Sequence, residues 1–117
     1  AARAIARLHR AGFMHGDCKW SNLLAAPGRV MLVDLEGVRQ VGSRSAQLYR
    51  DLARFTLNAE DMGLAPQAYE AFLSIYLEAT GGSRAELQRQ TMPHLTTLRA
   101  RHTKKYGERG HKLLGVG

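Results

Sequence analysis

Four side chains in the first third of the sequence have the types and spacing for one reaction. They lie in "HGDCKWSNLL" (residues 15–24) and "VMLVDLEGVR" (residues 30–39). Asp17 offers a carboxylate that can take a proton from a hydroxyl, and Lys19, two residues on, offers a cation. Asn22 and Asp34 offer hard oxygen donors of the kind magnesium prefers. The cation at Lys19 can hold a phosphate oxygen as charge develops on it. A base, a cation, an amide ligand and a metal-binding carboxylate together equip a site for phosphoryl transfer.

These groups must be brought together by the elements around them. Leu23, Leu24 and Ala25 suit a short strand, "APGR" a turn, and residues 30–33 a buried strand ending at Asp34. The resulting hairpin sets Asn22, before its first strand, beside Asp34, after its second. Residues 1–11 read as a helix with Ile5 and Leu8 on one face and Gly12 as its C-terminal stop, and residues 13–22 read as a polar loop.

A second helix is expected from a cap at Ser43 or Ser45 to about Leu57, with Leu48, Leu52 and Phe55 inward. Pro66 opens a third, whose Tyr69, Phe72, Leu73, Tyr76 and Leu77 give the strongest amphipathic spacing, and Gly81–Gly82 closes it. Ser83 with Glu86 forms a capping box for the next helix, which Pro93 is expected to split. Residues 107–117 contain four glycines and are expected to fray.

Composition bounds the class. A chain of 117 residues with 44% hydrophobic content suits one small globular domain and is too apolar for a disordered tail. No apolar run approaches the roughly 18 residues of a membrane span. One cysteine, Cys18, cannot form an internal disulfide. The charge of +7 is uneven: residues 55–80 carry four acids and no lysine or arginine, whereas residues 84–112 carry eight bases against two acids. Such a basic end attracts anions in general or forms a solvated helix face.

"HGDCKWSN" resembles the catalytic loop of the protein-kinase-like superfamily, H-x-D-x-K-x-x-N, and "VDLEG" its magnesium-binding segment. The resemblance implies a loop histidine at His15, the catalytic base at Asp17, a phosphate contact at Lys19, and magnesium at Asn22 and Asp34. Lys19, Asn22 and Asp34 would then bind the ATP–magnesium cofactor. Asp51, in "YRDLARF", is similar to the helix aspartate that supports the catalytic loop from below. Cys18 and Trp20 are read as packing residues, with Trp20 alternatively a wall of the acceptor site.

The departures also inform. Gly16 replaces the arginine that reads a phosphorylated activation loop. Glu36 stands in place of a glycine, as an auxiliary metal ligand or, slightly favoured, a partner for Arg39. Only 16 residues separate Asp34 from Asp51, too few for a protein-substrate platform, so the expected acceptor is a small molecule or sugar.

With "LHRAGFMHGDCKWSNLL", "RDLARF" and "RHTKKYG", the sequence most resembles the lipopolysaccharide kinase family, which phosphorylates heptose or Kdo sugars of the inner core in Gram-negative bacteria. The fold this implies is a mainly α large (C-terminal) kinase lobe with a short β-hairpin, over residues 1–106, with its catalytic loop at 15–22 and metal-binding segment at 34–36. No glycine-rich loop or strand lysine is found, and 14 residues precede His15, so the small lobe is expected to be missing and the fragment inactive alone. The expected partners are a sugar or glycolipid acceptor, that small lobe, and an anionic membrane surface touched peripherally from the cytoplasm; nucleic acid is not expected. Aminoglycoside- or choline-type phosphotransferases, which share the "HGD" loop, and a non-catalytic remnant with an anion-binding tail are the alternatives.

Overall fold

The computed structural model describes residues 2–16, 23–26, 29–32, 38–42, 47–107 and 112–114. The chain is mainly helical. Its order is α1 (Ala2–Arg10), β1 (Phe13–Met14), β2 (Leu23–Ala26), β3 (Arg29–Leu32), β4 (Arg39–Gln40), α2 (Leu48–Asp61), α3 (Pro66–Thr80) and α4 (Arg84–Tyr106). α2 packs along α4 and α1 along α3.

α1 buries Ala2, Ile5, Ala6 and His9, a stripe at i, i+3, i+4 and i+7. Leu8, expected inward with Ile5, is only half-buried because it lies off that stripe. The helix stops at Gly12, whose φ of 88° is readily adopted only without a Cβ. From there the chain enters β1, where a polar loop was expected. β1 pairs antiparallel with β4, Phe13 opposite Gln40 and Met14 opposite Arg39. The Gly12 carbonyl accepts from the Val41 and Gly42 amides, each at 2.8 Å. Two-residue strands carry no periodicity, and this partnership spans more than twenty residues of sequence, so no local pattern announces it.

The expected hairpin is present as β2 and β3, in register from Leu23 opposite Leu32 to Ala26 opposite Arg29. α2 differs at both ends from the sequence expectation. Gln47 occupies its N-cap without a side-chain hydrogen bond, and Ser43 and Ser45 lie outside the described residues. It runs on to Asp61 because Ala59 and Glu60 continue its buried face beyond Leu48, Leu52 and Phe55.

α3 begins with Pro66 in its first turn and ends at Gly81, φ 76°. Its Phe72 ring stacks on Phe55 of α2 with centroids 4.2 Å apart and lies between Tyr69 and Tyr76, at 6.4 and 6.5 Å. The Tyr69 hydroxyl and Thr56 hydroxyl bond at 2.7 Å inside this layer. Burial, more than any neighbouring charge, pushes the Tyr69 phenol up to about 12.

α4 is one helix, and Pro93 does not split it. Leu87 and Thr91 before the proline and Leu95 after it share one buried face, so packing on both sides holds the helix through the missing hydrogen bond. The Ser83 side chain accepts from the Glu86 amide at 3.2 Å. The Glu86 carboxylate, expected to reach back in a capping box, bonds forward to Arg89 and Gln90 instead.

Within the segment expected to fray, the described residues 112–114 are held against the fold. Leu113 and Leu114 are buried in the core. The Leu113 amide donates to Glu60 Oε2 at 2.8 Å, and Arg99 donates to the Leu114 carbonyl at 2.8 Å and to both oxygens of Glu60. Glu60 is 3% exposed and Arg99 18%. Two leucines among glycines are a weak apolar signal, and the polar latch that receives them is formed by residues far away in sequence.

Replacing Glu60 removes the anion from this latch. Glu60→Gln is expected to cost about 3–5 kcal/mol, the scale of a broken buried ion pair. Urea denaturation checks the loss, and amide exchange at Leu113 should rise by more than at Leu52. Tyr69 sets an alkaline limit. Its folded-state value lies above the ordinary 10 of an unfolded tyrosine, so its contribution is complete below pH 10 and is lost as pH rises to about 12. The loss is on the order of 2–3 kcal/mol, and Tyr69→Phe should flatten that part of a stability–pH curve.

Candidate active site

The described part of the site is built around one carboxylate. Asp51, in the first turn of α2 and 1% exposed, faces the end of α1 and the chain after β1. Its Oδ2 accepts from the His15 amide at 2.6 Å and its Oδ1 from the Gly16 amide at 2.9 Å. Both donors belong to the segment that leads directly into Asp17. The His15 side chain is fully buried and Gly16 has a φ of 91°.

A third donor comes from α1. His9 Nε2 lies 2.7 Å from Asp51 Oδ2, and His9 Nδ1 lies 2.6 Å from the Tyr76 hydroxyl on α3. An ionised carboxylate can only accept, so Nε2 carries the proton, and Tyr76 fixes the other edge of the ring. The Tyr76–His9–Asp51 chain thus runs from α3 through α1 to α2 and ends on two backbone amides. With three donors directed at it, the buried charge of Asp51 is compensated.

The β-ladders add a second constraint. β1 and β4 pair at the root of the segment carrying Asp17, Lys19, Asn22 and Asp34, and β2 and β3 pair within it. Leu23, directly after Asn22 in sequence, is opposite Leu32, two residues before Asp34. The structure therefore brings Asp51 to His15 and Gly16 and closes the hairpin between the two expected metal ligands. Asp17, Lys19, Asn22 and Asp34 themselves lie outside the described residues, as do Cys18, Trp20 and Glu36. Among the described residues no group of three or more histidines, cysteines or carboxylates could hold a metal ion.

Sequence reasoning missed His9 and Tyr76. A signal existed for each: His9 continues the buried stripe of Ala2, Ile5 and Ala6, and Tyr76 continues that of Tyr69, Phe72 and Leu73. A polar group on an apolar face is satisfied by a partner, but the partner's identity requires the fold.

The domain is mainly helical and fixes the start of its HGD motif to a buried helix aspartate. The family model of the lipopolysaccharide kinase (Kdo/WaaP) family matches residues 1–76. The chain belongs to that family, and its role is a kinase role. A search of curated proteins finds no match. No helix among the described residues is long and apolar enough to cross a membrane.

Asp51→Asn leaves the shape and replaces one acceptor oxygen by a donor that faces an amide or His9. A loss of about 3–5 kcal/mol is expected, measured by thermal or urea unfolding. His9→Gln should lose less, because the two amides keep their acceptor.

Proposed function

We propose that this chain transfers the γ-phosphoryl group of ATP to a sugar hydroxyl of the lipopolysaccharide inner core, and that it supplies the large lobe of the catalytic domain over residues 1–106. The observation that carries this reading is the position of the HGD motif: it enters from amides fixed by Asp51 and lies wholly within the family match. Asp17 takes the proton of the acceptor hydroxyl, and its carboxylate needs only to lie within hydrogen-bond reach of that oxygen. Lys19 holds a non-bridging phosphate oxygen, where a fixed cation lowers the cost of charge build-up.

The donor set of Asn22 and Asp34, one amide oxygen and one carboxylate, fits magnesium, which takes few protein ligands beside water and phosphate oxygens. When bound, the ion supplies charge neutralisation to the phosphates. His15, Asp51 and His9 hold the loop and do not touch the reacting atoms. The short connection from Asp34 to Asp51 supports a small sugar acceptor over a protein. Exposed bases of α4 support work beside the anionic inner face of the membrane.

The test is phosphoryl transfer from labelled ATP to purified inner-core oligosaccharide by the protein that carries this chain. Asp17→Asn and Asp34→Asn should each lower kcat by about 10²–10⁴-fold with melting unchanged. The 117 residues alone should turn over far more slowly, since the elements that clamp ATP in such kinases do not occur among them. Transfer to aminoglycosides or choline and not to the sugar would overturn the acceptor assignment. Absence of transfer to any acceptor would overturn the kinase reading.

A further inference from the structure

The eight bases of residues 84–112 do not form one uniform patch. Arg84 pairs with Glu70 at 3.0 Å, Arg89 with Glu86 at 2.7 Å, and Arg99 with the buried Glu60. Lys105 lies over the Tyr106 ring, 5.2 Å from its centroid. Arg101 has no carboxylate partner among the described residues, and neither do Arg50 and Arg54 of α2. These three arginines line one cavity of about 520 Å³ between α2 and α4.

The cavity has a defined construction. Arg50 and Arg54 are four residues apart and so share a face of α2. His94, Thr97, Leu98 and Arg101 form one face of α4 at helical spacing. Met14 and Gly16 close the end beside the catalytic loop. The one carboxylate among the described lining residues, Asp51, has both oxygens engaged by His9 and the His15 and Gly16 amides. Three arginines against one carboxylate among the described lining residues give a space sized for a small molecule a net positive wall.

We propose that this cavity is an anion-binding site for a phosphate monoester, held by Arg50, Arg54 and Arg101. A guanidinium presents a planar fork of donors that matches phosphate oxygens, and three of them around one cavity suit a dianion better than a single carboxylate. The site lies next to Gly16, one residue before Asp17, so an anion held here belongs to the molecule presented to the loop. That last step rests on the kinase reading: the acceptor is a sugar that already carries a phosphate, and the cavity orients its free hydroxyl toward Asp17. Binding of the anion does not depend on that reading.

The experiment titrates the full chain, without ATP and at constant ionic strength, with inorganic phosphate and separately with a hexose 6-phosphate, following the His94, Thr97 and Arg101 signals by NMR. Saturable shifts are expected with both, tighter with the sugar phosphate. Arg54→Gln and Arg101→Gln should each weaken binding on the order of tenfold, the scale of one lost charge-assisted bond. Both side chains are exposed, so folding should survive, as the melting temperature will show. Lys104→Gln with Lys105→Gln, outside the cavity, should leave affinity within twofold.

The inference is overturned by shifts that do not saturate, by equal weakening in the lysine variant, or by binding only to phosphatidylglycerol vesicles with the cavity signals unmoved. Loss of phosphoryl transfer with phosphate binding intact would count against the kinase reading alone. Failure to bind phosphate in a protein that transfers it to the inner core would count against this cavity alone.

Discussion

The structure depends on the bonds made by the buried carboxylate of Asp51. Removing a charged group from water costs several kcal/mol unless donors replace the lost hydration. Here the donors are the His15 amide, the Gly16 amide and the His9 ring. Each comes from outside α2, so satisfying the charge requires α1, α2 and the chain after β1 to meet at one point. The cost of burial is converted into position: displacement of residues 15 and 16 takes two of its three donors from the carboxylate and leaves the buried His15 amide without its partner.

The rest of the fold keeps that point in place. Tyr76 bonds the far edge of His9, which links α3 to the same network, while Phe72 stacks on Phe55 one turn beyond Asp51. The aromatic layer is non-directional and brings the helices together, and the His9–Asp51 bond fixes their register. At the other end of α2, Glu60 repeats the device. Its carboxylate gathers Arg99 of α4 and the Leu113 amide, so one helix carries a buried acid near each end and each acid collects a distant segment.

The sequence makes some of this architecture legible. The apolar spacing of α3, its opening at Pro66 and its stop at Gly81 are local properties, and the helix lies where those residues put it. The β2–β3 hairpin follows from strand residues around a turn. Asp51 stands out because a motif names it. What could not be read depends on partners distant in the chain. The β1–β4 pair is too short to carry a pattern, the continuity of α4 through Pro93 comes from packing on both sides, and the core position of Leu113 and Leu114 comes from Glu60 and Arg99. His9 shows the limit within a single helix: its spacing marks it as buried, and only the fold reveals that its partner is the acid beneath the loop.

Charge follows the same division. A count of bases assigns the whole C-terminal third to a single cationic region, yet the ion pairs of Arg84, Arg89 and Arg99 neutralise much of α4. Arg50, Arg54 and Arg101, which pair with no carboxylate among the described residues, line the space beside Gly16 from two helices. A solvated arginine face would have no reason to be concave or to border the residue that precedes the expected base. Convergence of α2 and α4 at this place is itself imposed by the core packing and by the Glu60–Arg99 pair. The helical scaffold that holds His15 and Gly16 therefore also holds the arginine-lined wall beside Gly16.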